Sequence, residues 1–167
     1  VKIQRLPDKD MHKDPATRKR FLKGMAATFR QLRNHPCILY WTIFNEGWGQ
    51  FDSEAVYEKL KALDSSRIID ATSGWFRQNK SDVDSRHVYF RKVKLTGDGV
   101  KPLVLSEFGG KTYKAENHIF NPDKSYGYGG CDTLEALNEA VAKLYREEIV
   151  PCIRNGLCGS IYTQVSD

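Results

Sequence analysis

Short apolar runs predict five strands in this chain. The clearest run covers residues 37–44, and its continuous apolar character indicates a strand buried on both faces. The other four predicted strands are shorter or end in polar residues, and turn-forming residues follow them. They cover residues 67–71, 87–90, 102–106 and 157–163.

Two helices are predicted in the first half of the chain from apolar residues at helical spacing. The first begins at Asp14-Pro15, which supply an N-cap carboxylate and a proline in the first turn, and it ends at residues 34–36. The second is capped by Asp52-Ser53 and precedes the strand at residues 67–71. Together these segments predict a strand, helix, strand unit.

The strongest helical pattern runs from about residue 132 to residue 150, with Pro151 near its end. Asp132 and Glu135 have the spacing of a capping box. The apolar positions predict a stripe that is buried against the core. They are Leu134, Leu137, Val141, Leu144 and Tyr145.

Alternation of helices with buried strands predicts an α/β fold with a parallel sheet. In such folds the active residues gather at the carboxyl ends of the strands. Residues 72–86 and 91–101 show no helical period, and loops of that length usually carry function. We expect one domain over residues 1–167.

Composition argues against several classes of partner. The chain has 26 Lys and Arg against 21 Asp and Glu, a net charge of +5, and its basic residues are dispersed. No basic run interleaved with aromatic residues is present, so we expect no nucleic-acid partner. No apolar run is long enough to span a bilayer, so we expect no membrane segment.

The chain starts at Val1, within a polar stretch that is not a signal peptide. This start predicts a cut boundary, with any targeting signal upstream, so the compartment is left open. The four cysteines lack C-x-x-C spacing, and we expect buried free thiols. They are Cys37, Cys131, Cys152 and Cys158.

Two glutamates stand where predicted strands end. Glu46 comes just after the run that closes at Phe44, and Glu107 follows the strand at residues 102–106. Burial at a strand exit is expected to raise the pKa of Glu46, so that it could hold a proton at neutral pH. Each glutamate alone is more simply a surface or capping carboxylate. As a pair on parallel strands they predict a glycosidase, retaining if the carboxyl groups lie about 5–5.5 Å apart.

Aromatic residues are concentrated in the same loops. Because sugar rings have apolar faces that stack on aromatic rings, these residues predict a cleft lined for a saccharide. The alternative is that several of them cap the core. They are Trp48, Phe51, Trp75, Phe76, Tyr113, Tyr126 and Tyr128.

Neither a metal nor a cofactor is expected. His87 follows an Asp-rich segment, but the other three histidines lie in unrelated contexts and complete no ligand set. His87 is better suited to bind a sugar hydroxyl. The glycine-rich residues 126–130 lack the lysine and the preceding strand of a phosphate loop, and we interpret them as a flexible loop.

Several segments together resemble glycoside hydrolase family 2, which includes β-galactosidases, β-glucuronidases and β-mannosidases. Arg33-Asn34-His35-Pro36 leading to Trp41-Thr42-Ile43-Phe44-Asn45-Glu46 resembles the acid/base signature of the family. Leu103-Val104-Leu105-Ser106-Glu107-Phe108-Gly109-Gly110 resembles its nucleophile segment. Residues 82–89 resemble the strand between them, and residues 161–167 resemble the last barrel strand.

The resemblance implies Glu46 as general acid/base and Glu107 as nucleophile. It also implies that Asn45 binds the sugar 2-hydroxyl and that His87 and Tyr89 shape the site around the nucleophile. Trp48 and Trp75 are expected to contact the substrate, an oligosaccharide or other glycoside.

The family's catalytic domain is a (β/α)₈ TIM barrel, and the strand count places this chain at about strands 4 to 8. The chain is then a C-terminal part of the barrel without its first three strands. Unpaired barrel edges in such a fragment predict possible homo-oligomers.

The leading hypothesis is a retaining β-glycosidase, similar to β-galactosidases and β-glucuronidases, that forms a covalent glycosyl-enzyme. A second hypothesis is a catalytically inactive fragment that binds saccharide through its aromatic residues. A third is an assembly-prone structural piece without activity of its own. The sugar that is cleaved is left open.

Overall fold

The computed structural model describes residues 7–121, 123–124 and 126–164. The chain divides into two compact units at the boundary between Arg86 and His87. Because the described residues end at Gln164, the predicted barrel segment at residues 161–167 is described only over residues 161–164. No helix within the described ranges is long and apolar enough to cross a membrane.

The first unit contains the predicted strand, helix, strand arrangement, preceded by one further helix. Helix α1 covers Pro15–Leu32, strand β1 covers Tyr40–Asn45, helix α2 covers Ser53–Leu63 and strand β2 covers Ile68–Ser73. The two strands pair in parallel. Parallel pairing brings their carboxyl ends, Asn45 and Ser73, side by side.

Helix α1 begins as predicted. The carboxylate of Asp14 accepts hydrogen bonds from the amides of Ala16 and Thr17, and Pro15 occupies the first turn. The hydrogen bonds from the Thr17 hydroxyl and amide lower the pKa of Asp14, which keeps the cap ionised.

Asp52 occupies the N-cap position of α2, as predicted, but its side chain does not cap the helix. Asp52 has a left-handed backbone, with φ at 37°, and makes no capping hydrogen bond. Its carboxylate lies 3.0 Å from Arg18 instead. The amide of Ser53 donates to Oδ2 of Asp8 at 3.2 Å, so a residue far upstream takes the place of a local cap.

The prediction that residues 37–44 form a strand buried on both faces is wrong in part. Strand β1 starts only at Tyr40, Leu39 is exposed, and Phe44 is the residue of β1 that is buried. In the part of the chain that the structure describes, β1 has β2 as its one strand neighbour. Its other apolar residues, Tyr40, Trp41 and Ile43, therefore remain partly exposed.

The second unit is organised around the parallel strands β4, Leu103–Gly109, and β7, Leu157–Thr163. Strand β3, Asp84–Val88, crosses the unit boundary and completes a sheet with the order β3-β4-β7. It begins and ends earlier than predicted, so that Tyr89 and Phe90 follow it. The core of this unit consists of Val88, Val93, Leu103, Leu105, Phe108, Ile149, Cys152 and Leu157.

Two short parallel strands were not predicted. Strand β5, Lys111–Tyr113, pairs with β6, Gly129–Cys131. The interpretation of residues 126–130 as a flexible loop is therefore wrong for Gly129 and Gly130. Glycine has little intrinsic preference for strands, so the sequence pattern carried no signal for β6.

The long C-terminal helix is divided into three parts. Helix α3 covers Leu134–Leu144, a π-helical segment covers Tyr145–Ile149, and helix α4 covers Val150–Ile153 with Pro151 in its first turn. The amide of Val150 donates to the carbonyl of Tyr145, which is the spacing of a π-bulge.

Two predictions for this helix are wrong. The N-cap is Thr133, whose hydroxyl accepts a hydrogen bond from the Ala136 amide at 3.1 Å, and not Asp132. None of the eleven residues of α3, all of which the structure describes, is buried, and Leu134 is exposed. Burial begins where Leu144 and Tyr145 pack against the core.

All four cysteines are free thiols, as predicted, but only Cys152 is buried. Cys37 and Cys158 are exposed, so the prediction of burial is wrong for them. Cys37 lies in the turn before β1 and Cys158 in β7. Apolar neighbours in sequence did not bury these two side chains.

Candidate active site

Glu46 lies in the turn that directly follows β1. Its backbone amide donates a 3.0 Å hydrogen bond to the carbonyl of Ser73, the last residue of β2. Its φ of 52° is left-handed, and its side chain is half-buried. The hydrogen bond ties the backbone of Glu46 to the carboxyl ends of both strands of the first unit.

A glycine is required immediately after Glu46. Gly47 has a φ of 81°, and a Cβ on it would overlap the ring of Phe76. Gly49 also has a positive φ, 67°, but open space surrounds the position of its missing Cβ. The turn therefore needs glycine at position 47 for space as well as for backbone conformation.

Gln50 and Asp8 form a buried polar pair that holds this turn in place. Nε2 of Gln50 donates to Oδ2 of Asp8 at 2.7 Å and to the carbonyl of Phe76 at 2.9 Å. Gln50 is completely buried, and Asp8 is nearly so. The pair links the turn after β1 to the segment after β2 and to the start of the described chain. Because Asp8 lies 42 positions before Gln50, no local sequence pattern predicts the contact.

Three predicted substrate-contacting residues surround the same strand ends. Asn45 is the exposed last residue of β1. Trp48 is 78% exposed, and Trp75 is 40% exposed in the loop after β2. Phe51 differs from them, because it is buried against Phe21 and Phe44. For Phe51 the alternative of a core residue is right, and the prediction of a cleft residue is wrong.

Glu107 lies within β4 of the second unit, two residues before the strand ends. Leu105 pairs with Ser160 and Phe108 with Tyr162, so one extra residue stands on β4 between these pairs. Such a β-bulge reorients the side chains that it contains. Glu107 is part of the bulge, and its side chain is 27% exposed between two buried neighbours.

Two side chains approach one oxygen of Glu107. The hydroxyl of Tyr89 donates to Oε2 of Glu107 at 2.5 Å, and Nδ1 of the buried His87 lies 3.5 Å from the same oxygen. Burial, followed by the hydrogen bond to Glu107, raises the pKa of Tyr89 well above its usual value. The phenol therefore keeps its proton and remains a donor to the carboxylate.

Gly109, the last residue of β4, and Gly110, which follows it, allow two tyrosine rings to approach the backbone. A Cβ on Gly109 would overlap the ring of Tyr162, and a Cβ on Gly110 would overlap the ring of Tyr128. The amide of Tyr128 donates to the carbonyl of Gly110 at 2.7 Å. Tyr128 in turn packs on Tyr89, with ring centroids 4.3 Å apart.

Sequence reasoning identified Glu46, Glu107, His87 and Tyr89, but missed the residues that hold them. Asp8, Gln50 and the bulge in β4 carry no periodic or motif signal, because each depends on a contact distant in sequence. His87 and Glu107 are also residue types that bind metal ions. The expectation that the site needs no metal or cofactor stays a prediction.

An α/β chain with parallel strands and a glutamate at a strand end in each unit fits the class of glycoside hydrolases. Residues 4–117 match the family described as glycosyl hydrolases family 2, TIM barrel domain. Since the match covers more than half of the chain, the chain belongs to glycoside hydrolase family 2, and the TIM-barrel class predicted from the sequence is confirmed.

Similarity to curated proteins agrees with this family. Over 83 residues the chain is 34% identical to a β-galactosidase of Klebsiella pneumoniae, and the match covers 50% of this chain and 8% of that protein. A β-galactosidase of Klebsiella pneumoniae strain 342 matches to the same extent. The matched region is therefore a small part of the length of these relatives.

Proposed function

We propose that this chain carries the two catalytic carboxylates of a retaining β-glycosidase, with Glu107 as nucleophile and Glu46 as general acid/base. The observation that carries the proposal is the hydrogen bond from Tyr89 to Oε2 of Glu107. It holds a strand-end carboxylate in one orientation within a chain of family 2. The relatives named β-galactosidase support a β-galactoside or a related β-glycoside as substrate.

Glu107 has the features that a nucleophile requires. An orienting donor restricts the rotation of its carboxylate, and partial exposure leaves room for a sugar. Its free oxygen would attack the anomeric carbon, the bond to the leaving oxygen would break, and a covalent glycosyl-enzyme would form. Water would then replace the enzyme at the same carbon and release the sugar.

Glu46 would supply and recover the proton. In the first step it protonates the leaving oxygen, and in the second it accepts a proton from the attacking water. Its backbone is held by Ser73 and by the glycine turn at Gly47. This fixed turn supports its assignment as acid/base, since proton transfer requires a positioned group.

The remaining assignments concern the sugar. Asn45 is proposed to bind the 2-hydroxyl, and Trp48 and Trp75 to stack on sugar faces. His87 is proposed to hold the carboxylate of Glu107 together with Tyr89. The exposure of both indoles is compatible with the stacking role, because the apolar face of a sugar can pack only on an accessible ring.

We further propose that residues 1–167 are one part of the family's barrel, covering about its strands 4 to 8. In this assignment β1, β2, β3, β4 and β7 are the barrel strands, and β5 and β6 belong to the loop after β4. Homo-oligomers formed through barrel edges would follow from the same assignment.

Covalent labelling tests the two roles separately. Dinitrophenyl 2-deoxy-2-fluoro β-glycosides would be incubated with the chain, and intact mass and peptide mapping would locate any adduct. We expect one adduct on Glu107 and none in Glu107→Gln. Glu46→Gln should still be labelled, because dinitrophenolate leaves without a proton, whereas its hydrolysis of substrates with poor leaving groups should be lost.

Glu116→Gln is the matched control, since Glu116 is an exposed glutamate in the loop after β5. It should behave like the unaltered chain in both assays. An adduct on another residue would overturn the assignment of Glu107. Saccharide binding without any adduct would identify the alternative, a catalytically inactive saccharide-binding fragment.

A further inference from the structure

Four aromatic rings form a continuous series beside Glu107 in the second unit. Tyr89, which donates to Glu107, packs on Tyr128 with ring centroids 4.3 Å apart. Phe90 contacts Tyr128 edge to face at 4.9 Å, and Tyr126 contacts it at 5.8 Å. We call Phe90, Tyr126 and Tyr128 the aromatic platform. Tyr89 connects the platform to Glu107, the proposed nucleophile.

The platform exposes much aromatic surface. Phe90 is 87% exposed and Tyr126 is 64% exposed. Exposed rings of this size that touch one another form a patch of the kind that marks binding sites. The hydroxyls of Tyr126 and Tyr128 lie 2.9 Å apart and add a polar group to this apolar patch.

The platform is also fixed in place. The amide of Tyr128 is bonded to the carbonyl of Gly110, and its ring lies where a Cβ on Gly110 would be. Gly110 has a φ of 72°, in the left-handed region that glycine adopts without strain. Glycine at this position therefore allows Tyr128 to pack against the strand that carries Glu107.

We propose that the aromatic platform is a subsite for a second sugar ring of an oligosaccharide, next to the ring that Glu107 attacks. The inference rests on the proposed function and defines its substrate class. A pyranose has an apolar C–H face, which suits Phe90 and Tyr128, and hydroxyls at its edge, which suit the hydroxyls of Tyr126 and Tyr128. Substrates with at least two sugar rings should therefore bind better than simple alkyl glycosides.

Binding to the Glu107→Gln chain tests the subsite without turnover. Lactose, cellobiose and β-1,4-mannobiose would be titrated by calorimetry, each beside the methyl β-glycoside of its non-reducing sugar. At least one disaccharide should bind more tightly than its methyl glycoside. Adding Phe90→Ala should weaken disaccharide binding by about fivefold to tenfold, the effect of one aromatic contact.

Phe120→Ala is the matched control, because Phe120 is a fully exposed phenylalanine that makes no ring contact with the platform among the described residues. It should leave the affinity for the disaccharide unchanged. The proposal is overturned if no disaccharide binds more tightly than its methyl glycoside, or if Phe90→Ala and Phe120→Ala have equal effects.

Two further outcomes separate this inference from others. If Phe90→Ala converts an oligomer to a monomer in light scattering without changing disaccharide affinity, the platform is a protein contact and the proposal fails. If disaccharide binding depends on Phe90 but the chain with Glu107 intact forms no fluoroglycoside adduct, the subsite stands and the proposed hydrolysis fails.

Discussion

The hydroxyl of Tyr89 lies 2.5 Å from Oε2 of Glu107. Tyr89 directly follows β3, and Glu107 stands in the bulge of the adjacent strand β4. The contact therefore depends on two features at once, the end of one strand and the irregular register of its neighbour. It restricts which oxygen of Glu107 remains available to a substrate.

Replacing Tyr89 by Phe should slow the formation of the glycosyl-enzyme. Hydrogen bonds to a charged group contribute about 1.5–3 kcal/mol, so labelling by a fluoroglycoside should slow by about 10-fold to 100-fold. The rate of mass increase measures this effect. Tyr113→Phe, which removes a hydroxyl from β5, should be labelled at the unaltered rate. Equal rates for both variants would mean that Tyr89 does not orient the nucleophile.

Replacing Gly47 by Ala should destabilise the fold more than replacing Gly49 by Ala. Both changes place a Cβ on a left-handed backbone, at a cost of about 1–2 kcal/mol. Only the Cβ at position 47 also overlaps Phe76, which adds about 1–3 kcal/mol. Urea unfolding measures both free energies, and a Gly49→Ala variant as unstable as Gly47→Ala would contradict the packing argument.

Replacing Asp8 by Ala should loosen the turn that carries Glu46. The change leaves Nε2 of Gln50 and the amide of Ser53 without the carboxylate that now accepts from them. We expect a loss of about 1–3 kcal/mol of stability. Hydrogen exchange should also accelerate at residues 46–53. Asp10→Ala removes an exposed carboxylate nearby and should do neither.

Stability should fall in acid through Asp84. Burial opposes ionisation of this carboxyl group, but the hydrogen bonds and charges of Arg86 and Arg77 outweigh burial and lower the pKa of Asp84. A pKa lower in the folded than in the unfolded state contributes stability above the unfolded pKa of about 3.9, and this stability is lost as pH falls through the folded pKa.

To test this, the free energy of unfolding would be measured in urea at pH 7, 5, 4 and 3. Asp84→Asn should lower it at pH 7 and flatten its decline below about pH 4, where the unfolded carboxyl group becomes protonated. Asp10→Asn, which alters an exposed ion pair, should keep the full decline. An unchanged acid slope in Asp84→Asn would assign the pH dependence to other carboxylates.

The parts of the fold that depend on local pattern were predictable. The start of α1 at Asp14 and the parallel strands β1 and β2 follow from capping and from apolar runs. The cap of α2 was not predictable, because its acceptor is Asp8 and comes from a distant segment. Burial of β1 was overestimated, because an apolar run does not show whether a second layer covers the strand.

In the candidate site, too, local motifs were predictable and contacts distant in sequence were not. The motifs located Glu46 and Glu107 within the loops and strands where they lie, since both stand in recognisable segments near strand ends. The β-bulge at Glu107 and the contact of Tyr128 with Gly110 were not predictable. The bulge depends on the register of β4 against β7. The contact with Gly110 depends on the ring of Tyr128, which lies 18 positions later in the chain.

The π-bulge at Tyr145–Ile149 places one residue more in its turn than an α-helix would hold. Deleting one residue there would restore α-helical phase and rotate everything N-terminal to it by about 100° relative to Ile149. Leu144, which now packs on the same core as Ile149, would turn away from it. The length of the chain at this point therefore determines which face of α3 meets the core, independently of which residues α3 contains.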